Sequence, residues 1–232
     1  MNDAFLINQL LIKHQAGFYP LVDFDADFEK FITLDFTANN NALTAELLEN
    51  TPLFCNYMDS ELSKESAKFG IGGYMEHRTV YARSKHFDGA AGEPRRLHLG
   101  VDVWGKALTS VYAFMDATVH SFAFNDNFGD YGATIILQHS LENTTFYSLY
   151  GHLSLQSLDG LSKGMFIKKG TKFCEFGITT ENGHWPPHLH FQLMTNMEGR
   201  EGDYPGVAKL SEKELWLSKI PDANLVLSFM QS

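Results

Sequence analysis

Short apolar runs, separated by polar residues, recur along the middle of the chain, from about residue 97 to about residue 195. Runs rich in β-branched and aromatic residues are separated there by Gly, Asn and Asp, which is typical of short strands joined by turns. We therefore expect an antiparallel sheet or sandwich in this part of the chain. The predicted strands are Val101–Trp104, Val111–Ala113, Thr118–Phe124, Ala133–Gln138, Thr145–Tyr150, Lys172–Phe176 and His188–Met194.

The two ends of the chain have a different pattern. Near the C-terminus, the polar residues 211–214 resemble a capping box ahead of an apolar triplet and predict one surface helix. Before residue 90 the pattern is mixed, with helix formers between turn residues and short alternating runs. It predicts helices at 3–16, 42–49 and 56–69 and short strands at 20–24 and 27–36.

This change of periodicity near residue 90 predicts how the chain is divided. We expect a mixed α/β extension at 1–92, a mainly β domain at 93–200, and a tail with a short helix at 201–232. The fold class is then α+β overall, with the strands concentrated in the central domain.

Composition limits the function classes. The chain has 232 residues, 44% of them hydrophobic, which is enough apolar material for a full core. The formal net charge of −10 argues against binding to nucleic acid or to an anionic membrane, since both need a basic face. No run of about 18 apolar residues occurs, so we expect no transmembrane segment. Nothing in the composition indicates an oligomeric state.

The first residues also bear on location. No basic segment precedes the apolar stretch near the N-terminus, and that stretch is interrupted by Asn8, Gln9 and Lys13. The pattern favours an amphipathic helix over a signal peptide, so a cytoplasmic protein is expected; an extracytoplasmic one stays possible if the sequence is a mature form. Cys55 and Cys174 form no CxxC motif, and we expect free, partly buried thiols.

His98-Leu99-Gly100-Val101-Asp102 is the first candidate for chemistry. Because side chains alternate between the two faces of a strand, His98, Gly100 and Asp102 would share one face. Gly100 would leave room for an ion between the two polar side chains. The alternative is a polar outer face that carries a His and an Asp by chance.

His188-Leu189-His190 repeats this arrangement, because histidines at positions i and i+2 of a strand share a face. Paired imidazoles beside a carboxylate form a ligand set that suits Zn²⁺. The alternative is an exposed pair of histidines. A third histidine, His152 in the segment Tyr150-Gly151-His152-Leu153, ends a predicted strand and would mean little alone.

Taken in order and at this separation, the three segments resemble the signature of the M23 metallopeptidases, the LytM and lysostaphin kind: HxGxD, then YGH, then HxH. Asp116–Val119 is similar to the family's DGxV strand start, and Tyr131–His139 to its YGNxVxIxH segment. Gly164, Gly170 and Gly177 resemble its paired glycine turns. The resemblance covers about residues 93–195 and implies a catalytic core with the duplicated LytM-like motif.

The resemblance also implies roles for five residues. His98, Asp102 and His190 would be zinc ligands, which leaves open the fourth position that catalytic zinc requires. His152 and His188 would be catalytic without ligating the metal. Of these, His188 is expected to act as a base and His152 as an acid or as a stabiliser of the oxyanion. No residue is assigned to any other cofactor.

The implied function is zinc-dependent hydrolysis of peptide bonds by a metal-activated water, with a peptide or peptidoglycan-derived substrate. Two alternatives stay open: a cytoplasmic zinc amidohydrolase acting on a small peptide or amide, and a non-catalytic LytM-like binding or regulatory module. Such modules usually lack ligands, whereas all five residues are present here.

Four other features near these motifs complete the expectations. Residues 182–187 depart from the family's usual GxSTGP sequence, which leaves the substrate preference open. His184 is expected to be an exposed loop residue and His139 to be structural. The cluster Glu76-His77-Arg78 is expected to form a solvated surface, with contact to the cleft as the alternative.

Overall fold

The computed structural model describes residues 3–88 and 92–227. Four α-helices and twelve strands lie in these residues. The helices are α1 Asp3–His14, α2 Ala45–Glu49, α3 Thr51–Lys64 and α4 Lys213–Leu217. The strands are β1 Phe31–Leu34, β2 Phe69–Gly72, β3 Arg95–His98, β4 Val101–Trp104, β5 Ser110–Tyr112, β6 Ala117–Asn125, β7 Gly132–Leu141, β8 Thr144–Leu153, β9 Phe166–Ile167, β10 Lys172–Glu175, β11 His188–Met194 and β12 Val207–Lys209.

Eight of these strands form one sheet, in the order β1-β2-β4-β11-β8-β7-β6-β9. Neighbours are antiparallel, except that β1 and β2 are parallel. The strands β10 and β5 form a second, two-stranded sheet, and β12 and β3 form a third. The predicted fold class is confirmed: a mainly β core with an α-containing N-terminal region, α+β overall.

Both faces of the large sheet are covered. On β7, Ile135 and Leu137 belong to the largest cluster of buried residues, while Ile136 packs on the other face with Leu149 and Met194. A strand buried on both faces reads as an almost continuous apolar run, which explains why the period-two pattern is weak there. The rigid central strands are therefore suited to hold polar side chains at fixed positions.

Two predicted elements in the N-terminal region are wrong. Residues 20–24 do not form a strand, although Leu21 and Val22 are completely buried. The helix predicted at 56–69 begins earlier, because the side chain of Asn50 accepts a hydrogen bond from the Leu53 amide and Pro52 occupies the first turn. The helix also ends earlier than predicted, at Lys64, and Phe69 belongs to strand β2.

The predicted helix near the C-terminus is present, but it does not begin with the predicted capping box. Helix α4 begins at Lys213, and its N-cap residue, Glu212, makes no side-chain capping hydrogen bond. Both cysteines are free, with Cys174 buried and Cys55 half-buried, as expected. Over the described residues, none of the helices has the length and apolar character needed to cross a membrane.

Candidate metal centre

Three neighbouring strands carry four of the five predicted site residues. Asp102 of β4 lies directly opposite His190 of β11, and His188 lies opposite Trp104. On the other side of β11, His190 lies opposite Gly151 of β8, which places His152 one residue further along. Residues directly opposite one another have Cβ atoms only about 5 Å apart, so strand pairing alone brings these side chains together.

The fifth residue, His98, reaches the same place by a different route. The continuous strand predicted from His98 to Asp102 is wrong, because β3 ends at His98 and β4 begins at Val101. His98 pairs with Val207 of β12 instead. Gly100 nevertheless leaves room as expected, since a Cβ there would lie 2.7 Å from Cε1 of His190.

His98, Asp102 and His190 converge through one atom each. Nε2 of His98 lies 2.9 Å from Nδ1 of His190. Oδ1 of Asp102 lies 3.2 Å from Nε2 of His98 and 3.1 Å from Nδ1 of His190. All three side chains are buried, and they form the one group of at least three potential ligands found among the described residues.

Hydrogen bonds on the outer side of each ring fix the tautomers. Nδ1 of His98 donates to the carbonyl of Gly73 at 2.9 Å, which leaves a lone pair on Nε2. The Gln192 amide nitrogen donates to the Pro205 carbonyl, so its Oε1 accepts from Nε2 of His190 at 3.1 Å. A lone pair is then left on Nδ1 of His190. Two lone pairs and a carboxylate oxygen thus face one another, an arrangement that needs a cation between them.

The size of this group fits Zn²⁺. Three atoms 2.9–3.2 Å apart form a nearly equilateral triangle. Zinc bonds of about 2.0–2.2 Å are slightly longer than the roughly 1.8 Å from the centre of the triangle to its corners, so the three atoms are close enough together to bind one ion.

The protonation states also suit a metal. Burial lowers the pKa of His98 to about 3, and the charge of Arg78 lowers it further. Burial alone would raise the pKa of Asp102, but His98 and Arg78 hold it well below its ordinary value. At neutral pH the metal-free group therefore contains a neutral His98 and an ionised carboxylate, the states that metal ligation requires.

His152 and His188 lie beside this group with their rings against each other, 4.1 Å between centroids. Nδ1 of His152 donates to the carbonyl of Asn182, and Nδ1 of His188 donates to the carbonyl of Pro186, both at 2.8 Å. Burial lowers the pKa of His188 to about 4 and that of His152 well below its usual range. Each ring is therefore neutral at pH 7, with Nε2 free to accept a proton.

The backbone of His152 is strained. Its φ is 62°, in the left-handed region that a residue with a Cβ seldom adopts, at a cost of about 1–3 kcal/mol. Two hydrogen bonds hold it there: its amide donates to the Tyr131 carbonyl at 2.7 Å, and its carbonyl accepts from the Gly177 amide at 2.8 Å. Strain that is held on both sides is characteristic of functional positions.

The atypical segment 182–187 supplies the two backbone carbonyls that orient His152 and His188. His184 within it has a φ of 65°, and its carbonyl accepts hydrogen bonds from Thr51 and from Nη2 of Arg83. The His184 ring stacks on Phe128 and takes no part in the group of ligands. Arg83, which is buried, lies over the Trp185 ring at 4.4 Å. The N-terminal region thus braces this segment.

Two side chains that were not expected at the site, Gln192 and Arg78, touch the candidate ligands. Gln192 follows His190 by two positions, so strand alternation alone places it on the same face. Arg78 was assigned to a solvated surface, which is wrong: it is only 1% exposed and binds Asp102. No local pattern could have revealed this contact across 24 residues of sequence. His139, by contrast, is buried and bonded to Ser148 and the Asp116 carbonyl, in keeping with a structural role.

A cavity of about 330 Å³ opens beside the site. His152, His190 and Trp185 line one part of it, and Tyr81 from the N-terminal region lines another. Charged residues of both signs also line the cavity, namely Arg95, Asp130, Arg200 and Asp203. The volume is in the lower part of the range for small-ligand sites.

Two imidazoles and a carboxylate converge on one point, with two more imidazoles beside a cavity, and this ligand set suits a single Zn²⁺ with an open fourth position. The family comparison agrees with this ligand set: residues 96–201 match the model of Peptidase family M23. A search of curated proteins finds no match.

Solved structures that resemble the chain do so over part of it. A zinc-containing peptidase from Vibrio cholerae is 26% identical over 42% of this chain and 27% of that one, with a TM-score of 0.34. Csd3 from Helicobacter pylori is 29% identical over 53% and 32%, with a TM-score of 0.34. The catalytic domain of lysostaphin from Staphylococcus simulans is 21% identical over 52% and 80%, with a TM-score of 0.36. The chain spans about a third or less of the first two.

Proposed function

We propose that this protein is a zinc metallopeptidase in which His98, Asp102 and His190 bind the metal. One observation carries the proposal: two imidazole lone pairs and a carboxylate oxygen face one another at 2.9–3.2 Å, with both rings locked by hydrogen bonds on their outer side. Zn²⁺ bound by three protein ligands supplies a water of lowered pKa at the open position and polarises the scissile carbonyl.

In this proposal His188 is the general base. Its Nδ1 is occupied by the Pro186 carbonyl, and its ring stacks on Trp104 with centroids 3.8 Å apart. The ring cannot rotate without losing both contacts, so Nε2 is held as a proton acceptor. After it has taken up a proton, the same nitrogen can donate to the leaving amine.

His152 has the second catalytic role, that of acid or oxyanion stabiliser. Its ring lies between Tyr131 and His188, with centroids 5.6 and 4.1 Å away, and it lines the cavity. A carbonyl fixes its Nδ1, so the free Nε2 is the atom that can meet a substrate. Protonated, it would stabilise negative charge on the carbonyl oxygen or donate to the leaving group.

For the substrate we propose a peptide, cleaved internally, with peptide cross-links of peptidoglycan as the first class to test. The match of residues 96–201 to Peptidase family M23 supports a peptide bond as the target. The catalytic side chains all come from residues 93–200, and we propose that the segments on either side of this domain support it. The small cavity favours one alternative, hydrolysis of a short peptide or amide by the same site.

The test uses the full chain. Elemental analysis should find one Zn²⁺ per chain in the wild type and none in Asp102→Ala. The zinc-loaded protein is then assayed against cross-linked muropeptides, linear peptides and small amides. Cleavage of a peptide bond that Asp102→Ala does not cleave supports the proposal. Absence of metal from the wild type, or zinc binding without hydrolysis of any compound in the panel, contradicts it.

A further inference from the structure

Arg78 is a buried arginine that binds the carboxylate of Asp102 on the side away from the two histidines. Its Nη1 donates to Oδ2 of Asp102 at 2.5 Å, whereas Oδ1 of the same carboxylate faces His98 and His190. The side chains of Arg78 and Asp102 are 1% and 3% exposed. The two oxygens of Asp102 therefore have separate partners.

The guanidinium is itself held on three sides. Its Nε donates to Oε2 of Glu76 at 2.7 Å, its Nη2 donates to the Gly73 carbonyl at 3.3 Å, and its Cζ lies 5.1 Å from the centre of the Phe36 ring. A guanidinium group that is fixed by several partners in this way holds the carboxylate oxygen it binds in one position.

The same short segment holds His98. The Gly73 carbonyl accepts from Nδ1 of His98, and the Glu76 carbonyl accepts from its backbone amide, both at 2.9 Å. Residues 73–78 thus touch two of the three proposed ligands. All of these contacts come from the N-terminal region, outside the segment that matches family M23.

We infer that Arg78 is a positioning residue for the metal site, which holds Oδ2 of Asp102 so that only Oδ1 is available to Zn²⁺. This inference rests on the proposed function. Without Arg78, Asp102 could rotate or present both oxygens, and the three donor atoms would lose their fixed arrangement. Partners of this kind behind a metal ligand orient it and tune its affinity.

The charge of the guanidinium acts in the opposite direction, because a cation near the site repels Zn²⁺. The Glu76 carboxylate on the same guanidinium offsets that charge, since the two groups form an ion pair. The hydrogen bond to Oδ2 is then the larger effect of Arg78 on Asp102, and removal of the arginine is expected to weaken zinc binding.

Zinc affinity of the metal-free protein tests this, measured by competition with a chromophoric chelator. Arg78→Met should bind Zn²⁺ about 10–100-fold more weakly than the wild type, the usual effect of losing such a partner. Arg78→Lys keeps a cation within reach of Asp102 and should recover part of the affinity. The d–d absorption of bound Co²⁺ gives a second readout, because its intensity falls as the coordination number rises.

Arg83→Met is the matched control. Arg83 is also a buried arginine of the N-terminal region that lies over aromatic rings, but its hydrogen bonds go to Thr51 and the His184 carbonyl and not to a proposed ligand. The control should lose thermal stability yet bind Zn²⁺ with nearly the wild-type affinity. Circular dichroism of each metal-free variant establishes that it is folded.

The outcomes separate the two proposals. A wild type that binds no Zn²⁺ overturns the proposed function. A wild type that binds Zn²⁺ while folded Arg78→Met binds it equally tightly or more tightly, with an unchanged Co²⁺ spectrum, overturns the role of Arg78 alone. Equal losses of affinity in Arg78→Met and Arg83→Met also overturn it, because they would reflect general loosening of the N-terminal region.

Discussion

The imidazole rings of His152 and His188 lie 4.1 Å apart between centroids and are inclined by 31° to each other. Nδ1 of each ring donates a hydrogen bond to a backbone carbonyl, and neither ring contributes an atom to the group formed by His98, Asp102 and His190. Two imidazoles that are fixed beside a metal group but outside it are placed to transfer protons.

The first prediction follows from that placement. His152→Ala and His188→Ala should each keep one Zn²⁺ per chain and lose about 10²–10⁴-fold in kcat/KM, the usual contribution of a positioned acid or base. Zinc content by elemental analysis and kcat/KM on a cleaved peptide are the two measurements. His14→Ala serves as the control, because His14 lies on the surface against Glu142. An active His188→Ala, or one that has lost its zinc, would mean that the roles are wrongly assigned.

Gln192 gives the second prediction. Gln192→Met removes the acceptor for Nε2 of His190, so the ring can adopt either tautomer and rotate. We expect zinc affinity to fall about 10–100-fold. Thr134→Val is the control, since Thr134 is another fully buried polar residue but bonds only to Asn125 and the Gly132 carbonyl. Equal zinc affinities in the two variants would show that Gln192 does not orient the ligand.

Gly100 gives the third. A methyl group at residue 100 would lie 2.7 Å from both Nε2 of His190 and the Phe191 carbonyl oxygen, so the backbone or the ring must move. Gly100→Ala should lower the free energy of unfolding by about 1–3 kcal/mol, as overpacking does, and weaken zinc binding as well. The control is Gly17→Ala, which adds a methyl group where no atom lies within 4 Å. It should lower neither the free energy of unfolding nor the zinc affinity. Unfolding in urea and chelator competition measure the two effects, and wild-type zinc affinity in Gly100→Ala would count against the geometry.

The fourth prediction concerns pH. Burial lowers the pKa of His139 to about 4, against about 6.5 in an unfolded chain. The unfolded state therefore binds the proton first as the pH falls, so the stability contributed by a neutral His139 is complete above pH 6.5 and is lost between there and pH 4. The shift corresponds to about 3 kcal/mol at most.

In the metal-free protein, urea unfolding of wild type and His139→Asn at several pH values between 7.5 and 4 isolates this contribution, because the other histidines titrate in both proteins. His139→Asn should be less stable than the wild type at pH 7.5, and its stability should fall less on acidification. Parallel pH profiles for the two proteins would refute the assignment.

The parts of the site that the sequence predicts are those fixed by strand periodicity. His188, His190 and Gln192 alternate along one strand, so their common face follows from spacing alone. Asp102 lies opposite His190 because of strand register, which no local pattern contains. The family signature supplied that pairing instead.

The contacts that loop residues make could not be predicted from the sequence, for a physical reason. Arg78 lies in irregular backbone between β2 and β3, where no periodicity assigns a face, and its burial depends on Asp102 and Phe36. Phe69 was assigned to the end of a helix because the residues before it favour one, yet it begins strand β2, which pairs with β4 on one side and β1 on the other. Tertiary pairing overrides local preference in such short segments.

The pairing of β2 with β4 also bears on self-association. With β2 on one side and β11 on the other, the strand that carries Asp102 has no open edge. A fragment beginning at residue 93 would leave the Val101–Trp104 backbone unpaired along one side, and unpaired strand edges recruit other chains. The N-terminal region therefore protects from aggregation the half of the sheet that carries the proposed ligands, and a fragment without that region should form insoluble assemblies.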